Sequence, residues 1–360
     1  MGKKILYVLP SYNMYGGTPK KTLDLIKYSS NDCYLYVWTN SYAEEFKEKF
    51  VNSGATIYEG LYGRNIFKHI TSLLKIIDEN NIQIIQSQFF FGELLVGIIK
   101  KLRPKVKVII AFVGSSSPSL LKRIVLKSFY HNIDAFVYIS EYVKREKVNV
   151  YPKLSTTNGV VIYNGTNIPK TNNSTYIKSK NDFTLLSVSG LTKIKNIQVL
   201  IDSMEILLKK NHSSVKFLVA GDGPEMKNYQ QQILEKKLEN NFKLLGYKKN
   251  IGDLLNQVDV FVHPCYIEGF GIAVAEAMIT EKPIIVSNSG ALPELIENEK
   301  TGLAVAPFNP EEWANAIIKL KENPLFAATL AKNSKIHAEK EFSVIKFVSN
   351  YNKLYQNILN

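Results

Sequence analysis

Hydrophobic and polar positions alternate along the chain in two successive series of the same kind. Short runs that are mostly apolar, such as KILYVLP, are followed by longer segments with apolar residues at every third or fourth position, such as NIFKHITSLLKIIDEN. The first kind predicts buried β-strands, and the second predicts amphipathic helices. Because parallel strands are joined by crossover helices, the alternation predicts parallel sheets covered by helices on both faces.

The two series predict an α/β protein of two domains. The predicted strands are KILYVLP, CYLYVWT, IQIIQSQ, VKVIIAFVG, IDAFVYIS and VVIYNGT in the first series, and FTLLSVSG, VKFLVAG, FKLLG, VDVFVHP and PIIVSN in the second. Residues 168–182 are polar, so they are predicted to be a linker between Rossmann-like domains at 1–167 and 183–341. Two such domains predict parallel sheets facing a central cleft, with ligands at the carboxyl ends of the strands.

The final segment, residues 342–360, has the spacing of one more helix. Its large apolar residues recur every three or four positions, at Phe347, Tyr351, Leu354 and Tyr355. This stripe predicts a helix that packs back on the N-terminal domain.

Composition and charge narrow the range of functions. Two distant cysteines, Cys33 and Cys265, provide neither a disulfide framework nor a metal cluster. No apolar stretch approaches the ~20 residues of a membrane span, and the first apolar run ends at Pro10, so a cytoplasmic protein is expected. Residues 1–169 carry 22 Lys and Arg against 12 Asp and Glu, which favours an anionic partner. Nucleic acid is not expected to be that partner, because no nucleic-acid-binding motif accompanies the charge.

One segment of the basic half is both apolar and charged. The sequence SLLKRIVLKSFY places Leu120, Leu121, Ile124, Val125 and Phe129 on one stripe, beside Lys122, Arg123 and Lys127. Two interpretations are open: a helix packed on its own sheet, which is favoured, and docking on a membrane. Together with the net charge, the segment predicts peripheral, reversible contact with anionic membranes.

Candidate chemistry concentrates in residues 263–296. A predicted strand ends at His263, and the turn Glu268-Gly269-Phe270-Gly271 precedes a predicted helix. Glycines let the backbone approach a ligand, and the first amides of a helix bind phosphate without a metal. Glu276, inside the helix, is predicted to reach nucleotide hydroxyls, and Glu268 is predicted to meet the sugar beyond the phosphates.

Several motifs in order give the chain a family resemblance. Glu268 and Glu276, in EGFGIAVAEAM, resemble the E-x7-E signature of the retaining family 4 glycosyltransferases with the GT-B fold. Other stretches similar to motifs of that family are Gly16-Gly17, Tyr163-Asn164-Gly165, Ala220-Gly221-Asp222-Gly223-Pro224, Ser289-Gly290-Ala291-Leu292-Pro293-Glu294 and Thr301-Gly302-Leu303. An acidic pair alone is usually a solvated face, so the neighbouring motifs carry the resemblance.

The resemblance implies an activity and a role for each matching residue. It implies transfer of a hexose from a nucleotide-diphosphate sugar, with UDP favoured, to a hydroxyl of a growing surface glycan or lipid-linked acceptor. The implied catalytic residues are Glu268, at the transferred sugar, and Lys195, at the leaving diphosphate. The implied donor-binding residues are Gly17, Gly221, Gly223, Gly246, Tyr247, Gly269, Phe270, Gly271 and Glu276. No cofactor and no metal are implied, and the sequence has no D-x-D motif.

Departures from the family pattern leave two alternatives open. Gly190 stands where the family has an arginine, Val113 stands where it has an acceptor-side histidine, and Gln86-Ser87-Gln88 replaces a strand end with histidines. Loss of one charge-assisted hydrogen bond costs ~1.5 to 3 kcal/mol, which predicts weakened activity. The alternatives are a catalytically weakened subunit, acting as partner or chaperone of another glycosyltransferase, and a sugar-nucleotide epimerase.

Overall fold

The chain folds into two compact units, each with its own sheet and core. The computed structural model describes residues 2–13, 17–39, 44–116, 119–169, 179 and 181–360. The first unit contains the chain up to Gly165 together with Val344–Asn360, and the second contains Thr166–Ser343. Most of the predicted linker, 168–182, lies outside the described residues.

The strands are rich in β-branched and aromatic residues that are buried on both faces. In chain order they are β1 (Lys4–Leu9), β2 (Asp32–Val37), β3 (Thr56–Glu59), β4 (Ile84–Ser87), β5 (Lys107–Phe112), β6 (Ala135–Tyr138), β7 (Gly159–Val161), β8 (Phe183–Val188), β9 (Val215–Ala220), β10 (Phe242–Leu244), β11 (Val260–His263), β12 (Ile284–Ser287) and β13 (Leu303–Val305). Such runs are typical of parallel sheets covered on both sides.

Among the described residues, fourteen α-helices alternate with or follow the strands, and some of them are capped by a short polar side chain. They are α1 (Gly17–Lys27), α2 (Glu44–Val51), α3 (Ile66–Asn80), α4 (Phe90–Leu102), α5 (Leu120–Tyr130), α6 (Glu141–Val150), α7 (Ile197–Lys209), α8 (Met226–Glu235), α9 (Ile251–Gln257), α10 (Ile272–Ile279), α11 (Leu292–Leu295), α12 (Pro310–Glu322), α13 (Pro324–Glu341) and α14 (Val344–Leu359). Asn65 and Asn309 accept hydrogen bonds from the first turns of α3 and α12.

Both sheets are parallel and doubly wound. The order in the first unit is β3-β2-β1-β4-β5-β6-β7, and the order in the second is β10-β9-β8-β11-β12-β13. In each sheet the strand order reverses beside the first strand, between β1 and β4 and between β8 and β11. Open sheets of this type bind ligands at the carboxyl ends of the strands next to such a switch point.

The last helix of the chain belongs to the core of the first unit. Phe347, Tyr351 and Leu354 on α14 are buried together with residues of β1, β2 and β4. Tyr355 Oη donates a hydrogen bond of 2.8 Å to Gln86 Oε1 and lies 3.1 Å from Tyr7 Oη. The helix begins at Val344, two residues after the predicted start, and its polar contacts satisfy phenol groups that burial would otherwise leave unpaired.

Several features differ from the sequence expectations. Helix α2 and strand β3 were not predicted, because both are short and β3 is a partly exposed edge strand. Strand β13 and helices α6, α11, α12 and α13 were not predicted either. The favoured interpretation of α5 is wrong for most of its apolar stripe, since Leu120, Leu121, Ile124 and Val125 are exposed. Only Leu126 and Tyr130 are buried on that helix. Among the residues described, no helix combines the length and apolar character needed to cross a membrane.

Removal of a core side chain of α14 should destabilise the first unit. Phe347 is 3% exposed and Ile345, on the same helix, is 65% exposed. We expect Phe347→Ala to lower the free energy of unfolding by about 3 to 5 kcal/mol, and Ile345→Ala by less than about 0.5 kcal/mol. Hydrogen exchange measured by mass spectrometry should show faster exchange in β1 and β4 of Phe347→Ala. Equal effects of the two substitutions would contradict this packing.

Candidate functional site

A glycine turn connects β11 with α10 in the second unit. The strand ends at His263 and the helix begins at Ile272, with Gly271 as its N-cap residue at φ 98°. A Cβ atom at Gly271 would lie 3.0 Å from Leu292 Cδ2. Position 271 therefore favours glycine chiefly for its backbone angle, with mild crowding against the Leu292 methyl group. The turn presents the first amides of α10 at the end of the strand.

Glu268 lies on this turn and is bonded at both carboxylate oxygens. Lys195 Nζ donates to Oε2 at 2.6 Å, and His263 Nε2 lies 2.9 Å from the same oxygen. The Gly269 amide donates to Oε1 at 3.2 Å. The two residues implied to be catalytic, Glu268 and Lys195, thus contact one another, and one amide implied to bind diphosphate is bonded to the Glu268 carboxylate.

The electrostatics of the cluster favour an ionised carboxylate. Burial alone would raise the pKa of Glu268, but the hydrogen bond from His263 and the charge of Lys195 hold it well below its usual range. Burial alone would lower the pKa of Lys195, and the Glu268 carboxylate raises it instead. Both members of the ion pair therefore stay charged at neutral pH.

His263 supports the carboxylate with a defined tautomer. Its Nδ1 atom is buried and has no hydrogen-bond partner among the described residues. A proton on buried Nδ1 would be left unpaired, so we assign the proton to Nε2, which then donates to Glu268. From the sequence, His263 was identified only as the end of a predicted strand, and its contact with Glu268 was not predicted.

The same cluster contains the one group of possible metal ligands found among the described residues. Ligand atoms of His263, Cys265 and Glu268 lie within 4.8 Å of one another. Burial raises the pKa of the Cys265 thiol to about 12, so it is protonated at neutral pH, whereas a metal ligand needs the thiolate. The Lys195 ammonium also occupies one oxygen of Glu268. The donor set therefore fits a metal poorly.

Lys195 is positioned by the connection between β8 and α7. It ends the 3-10 turn Lys193–Lys195, after which Asn196 adopts the left-handed conformation at φ 53°. Asn196 Nδ2 donates to Pro307 O at 2.6 Å, and the Tyr266 amide donates to Ile194 O at 3.1 Å. The first bond ties the loop after β8 to the loop after β13, and the second ties it to the loop after β11. β8 and β11 are the two strands at the switch point of this sheet.

Glycines bring the loops after β8, β9 and β10 into contact. The Gly221 amide donates to Gly246 O at 2.9 Å, and Leu191 N donates to Asp222 O at 2.9 Å. A Cβ at Gly221 would overlap Ser189 O, so this position accepts no side chain. A Cβ at Gly223 would lie 2.5 Å from Leu191 O, so that position also excludes a side chain.

The remaining implied residues lie in different surroundings. Glu276 is buried in the second turn of α10, and Phe270 is buried against Phe342 with ring centroids 5.5 Å apart. Tyr247, next to Gly246, is mostly exposed. Gly17 is the first residue of α1 in the first unit, and Gly16 lies outside the described residues.

Gly190, at the position of the family arginine, has room for a side chain. A Cβ there would have Asp222 O as its nearest atom, at 3.8 Å, which is ordinary contact. Val113, at the position of the family histidine, is half-buried after β5 in the first unit. Neither departure is therefore imposed by packing.

Two family models match the chain and together span both units. The model for Glycosyltransferase Family 4 matches residues 15–169, and the model for Glycosyl transferases group 1 matches residues 170–337. The chain belongs to the family 4 glycosyltransferases with the GT-B fold, and it is a transferase enzyme.

Individual relatives cover the chain to different extents. An uncharacterized glycosyltransferase of Methanocaldococcus jannaschii is 25% identical over 366 aligned positions, 99% of this chain and 98% of that protein. The UDP-Gal:alpha-D-GlcNAc-diphosphoundecaprenol alpha-1,3-galactosyltransferase of Escherichia coli is 28% identical over 241 positions, 62% of this chain and 58% of that protein. The crystal structure of Anabaena HepE in complex with UDP has a TM-score of 0.83 at 20% identity, covering 98% of this chain and 100% of that one. HepE was also solved with UDP-glucose. The structural similarity establishes the GT-B fold.

A methyl group at Gly290 should disturb the turn that carries Glu268. Gly290 has φ 62°, and a Cβ there would lie 2.7 Å from Glu268 N and 2.8 Å from Glu268 O. Gly246 has a similar φ of 67°, with no described atom within 4 Å of its Cβ position. Both alanine substitutions should cost about 1 kcal/mol in backbone strain, and Gly290→Ala about 1 to 3 kcal/mol more through overlap. Thermal unfolding should separate the two variants, and equal melting temperatures would contradict the overlap.

Proposed function

We propose that the protein is a retaining, metal-independent glycosyltransferase that uses a UDP-sugar and glycosylates a hydroxyl of a glycan or a lipid-linked acceptor. The observation that carries the proposal is the ion pair between Lys195 Nζ and Glu268 Oε2, 2.6 Å long, beside the glycine turn that begins α10. It joins a cation for a leaving diphosphate, a carboxylate for a sugar and a helix N-terminus for phosphate in one place.

The proposed reaction exchanges one glycosidic bond for another. The bond between the anomeric carbon and the donor diphosphate breaks, and the acceptor oxygen bonds to the anomeric carbon on the same face. The acceptor proton passes to the departing diphosphate. Lys195 has three N–H donors, so it can keep Glu268 and also bind a phosphate oxygen. An ionised Glu268 stabilises the positive charge that develops on the sugar.

The other implied residues are proposed to keep the roles that the family resemblance gives them. Glu276 is proposed to bind the donor ribose from inside α10, and the amides at Gly269, Phe270 and Gly271 to bind the diphosphate. Tyr247 and the glycines at 221, 223 and 246 are proposed to flank the base. Gly17 is proposed to bring its amide to the donor phosphate or the acceptor.

The relatives support the choice of nucleotide and acceptor class. HepE was solved with UDP and with UDP-glucose, and the name of the Escherichia coli relative specifies UDP-galactose and a diphosphoundecaprenol-linked acceptor. A panel of UDP- and GDP-sugars tested for thermal stabilisation examines the donor. A donor at a hundred times its dissociation constant stabilises the protein by about 2.7 kcal/mol.

A catalytically weakened subunit is the second candidate, favoured by Gly190 and Val113. Donor turnover decides between the two candidates. A partner protein that only binds the donor would be stabilised against thermal unfolding by the UDP-sugar but would neither hydrolyse it nor transfer its sugar. An epimerase would interconvert donors in the absence of any acceptor.

The two glutamates should affect different kinetic constants. The ribose is present in substrate and transition state alike, so Glu276→Ala should raise the donor KM roughly tenfold and change kcat less. Charge on the sugar develops in the transition state, so Glu268→Gln should lower kcat roughly 100-fold with little change in donor affinity. Glu281→Gln, on the exposed surface just after α10, is the control and should match the wild type. Wild-type turnover in Glu268→Gln would remove its catalytic role.

We also propose that the first unit contacts anionic membranes peripherally from the cytoplasmic side. The four exposed aliphatic residues of α5 are 41% to 77% exposed and lie among Lys122, Arg123 and Lys127. A largely apolar groove of about 700 Å³ lies between α5 and the 3-10 turn Pro152–Thr156, with Lys127 and Lys153 in its lining. An apolar stripe with basic neighbours fits the acyl chains and headgroups of anionic lipids.

Liposome flotation should test this surface directly. The wild type should float with vesicles that contain phosphatidylserine or cardiolipin at low salt, and binding should fall as salt rises, because each basic residue contributes about 1 kcal/mol before screening. The double substitution Leu120→Ser and Leu121→Ser should reduce binding at least tenfold. Leu325→Ser is the matched control, because Leu325 is 87% exposed on α13 of the other unit. Wild-type flotation of the double variant would contradict the proposed surface.

A further inference from the structure

A second candidate site lies entirely within the first unit. A cavity of about 300 Å³ opens at the carboxyl ends of β4 and β5, beside the switch point of that sheet. The residues used below all contribute to its lining: Phe89, Glu93, Phe112, Val113, Tyr130, Lys147 and Tyr151. Its volume is at the lower end of small-molecule sites, enough for one sugar ring.

The cavity lining contains a buried carboxylate and a buried ammonium. Glu93 is 7% exposed and Lys147 is 6% exposed. Tyr130 Oη donates to Glu93 Oε2 at 2.9 Å, and Lys147 Nζ donates to Ser116 O at 2.5 Å. Burying a charged group lowers the stability of the fold unless the group is paired or hydrogen-bonded. Apolar side chains at positions 93 and 147 would therefore fill the core at a lower cost in free energy.

Two further residues of the lining indicate a binding site. Tyr151 is buried, and apart from the neighbouring Tyr130 hydroxyl its Oη has no hydrogen-bond partner among the described residues. Phe89, the N-cap residue of α4, has φ 66° and ψ 151°, a backbone conformation that is strained for a bulky side chain. Buried unpaired polar atoms and strained residues both concentrate at ligand sites.

The chemistry of the lining matches an uncharged sugar. Glu93 accepts hydrogen bonds, Lys147 donates them and Tyr151 does both, whereas each sugar hydroxyl is both a donor and an acceptor. The Phe112 ring, 5.3 Å from Lys147 Nζ, offers an apolar face against which a pyranose ring can pack. One negative and one positive residue leave the lining without net charge, which favours a neutral ligand over a phosphate or a carboxylate.

We propose that this cavity binds the terminal, uncharged glycosyl residue of the acceptor, with Glu93, Lys147 and Tyr151 bonded to its hydroxyls. The inference rests on the transferase function proposed above and specifies its acceptor. Val113, where the family has an acceptor-side histidine, lines the same cavity, so the departure lies at the site that the acceptor sugar would occupy.

Saturation-transfer NMR with simple glycosides tests the proposal. The probes are the methyl glycosides of glucose, galactose and N-acetylglucosamine, with glucose 6-phosphate and glucuronate as charged comparisons. At least one neutral glycoside should bind the wild type more tightly than the charged probes. Glu93→Gln and Tyr151→Phe should each weaken that binding at least tenfold. The matched controls Glu141→Gln and Tyr142→Phe, on nearby α6, should bind like the wild type.

Each other outcome overturns the proposal. These outcomes are equal binding by wild type and cavity variants, absence of binding by all neutral glycosides, and tighter binding of a charged probe that Lys147→Met abolishes. If Glu93→Gln fails to fold, Val113→Phe fills the cavity from its half-exposed rim and should block the same glycoside.

Donor binding separates this proposal from the proposed function. The cavity variants should keep the full thermal stabilisation by the UDP-sugar, because none of the substituted residues lies in the second unit. If no UDP-sugar stabilises the wild type while a glycoside still binds, the proposed transferase function is wrong and the cavity remains a sugar-binding site.

Discussion

The second unit depends on the contact of Glu268 with Lys195 and His263. A carboxylate at this depth is stable only if its charge is compensated, and the compensating groups come from two separate loops. The loop after β8 brings the ammonium and the end of β11 brings the imidazole. The bond from Tyr266 N to Ile194 O closes the same two loops through backbone. The ion pair therefore fixes the geometry of the switch point as well as its charge.

The position of Glu268 constrains Gly271 and Gly290 more strictly than the formation of a turn alone would. Gly271 needs its positive φ to begin α10, and Gly290 approaches the backbone of Glu268 so closely that a Cβ would overlap it. Ala291 N then donates to Glu268 O at 2.9 Å, which holds the turn from its other side. Gly271 and Gly290 thus position the Glu268 carboxylate. The backbone amides proposed to bind phosphate belong to the same turn, whose conformation is already fixed by these contacts.

The sequence was sufficient for the parts of the molecule that are determined locally. Strand runs, helix periods and the glycine turn at residues 269–271 depend on neighbours in the chain, so the motif and all strands except the edge strands β3 and β13 could be predicted. Lys195 and Glu268 are 73 positions apart in the chain, so periodicity does not encode their contact or the sharing of one carboxylate oxygen with His263. The exposure of Leu121 was misjudged for a related reason, because an amphipathic period identifies a stripe but not what covers it. Burial of Glu93 beside Tyr130 could not be predicted either, since the two are far apart in sequence.

Glu268 in the second unit and Glu93 in the first show how surroundings divide the work of one residue type. Glu268 accepts bonds at both oxygens from an ammonium, an imidazole and an amide, so its pKa is lowered and its charge is kept. Burial dominates at Glu93 and raises its pKa, although the hydrogen bond of Tyr130 and the charge of Lys147 act in the opposite direction. A carboxylate that holds its charge suits a site where positive charge develops on a sugar. A carboxyl group whose charged form is disfavoured suits hydrogen bonding to a neutral sugar ring. Little free energy is lost when sugar hydroxyls, rather than ions, replace the water around it. The difference follows from the partners that each fold position supplies, and it supports the two proposals that place the charged step in the second unit and the binding of neutral hydroxyls in the first.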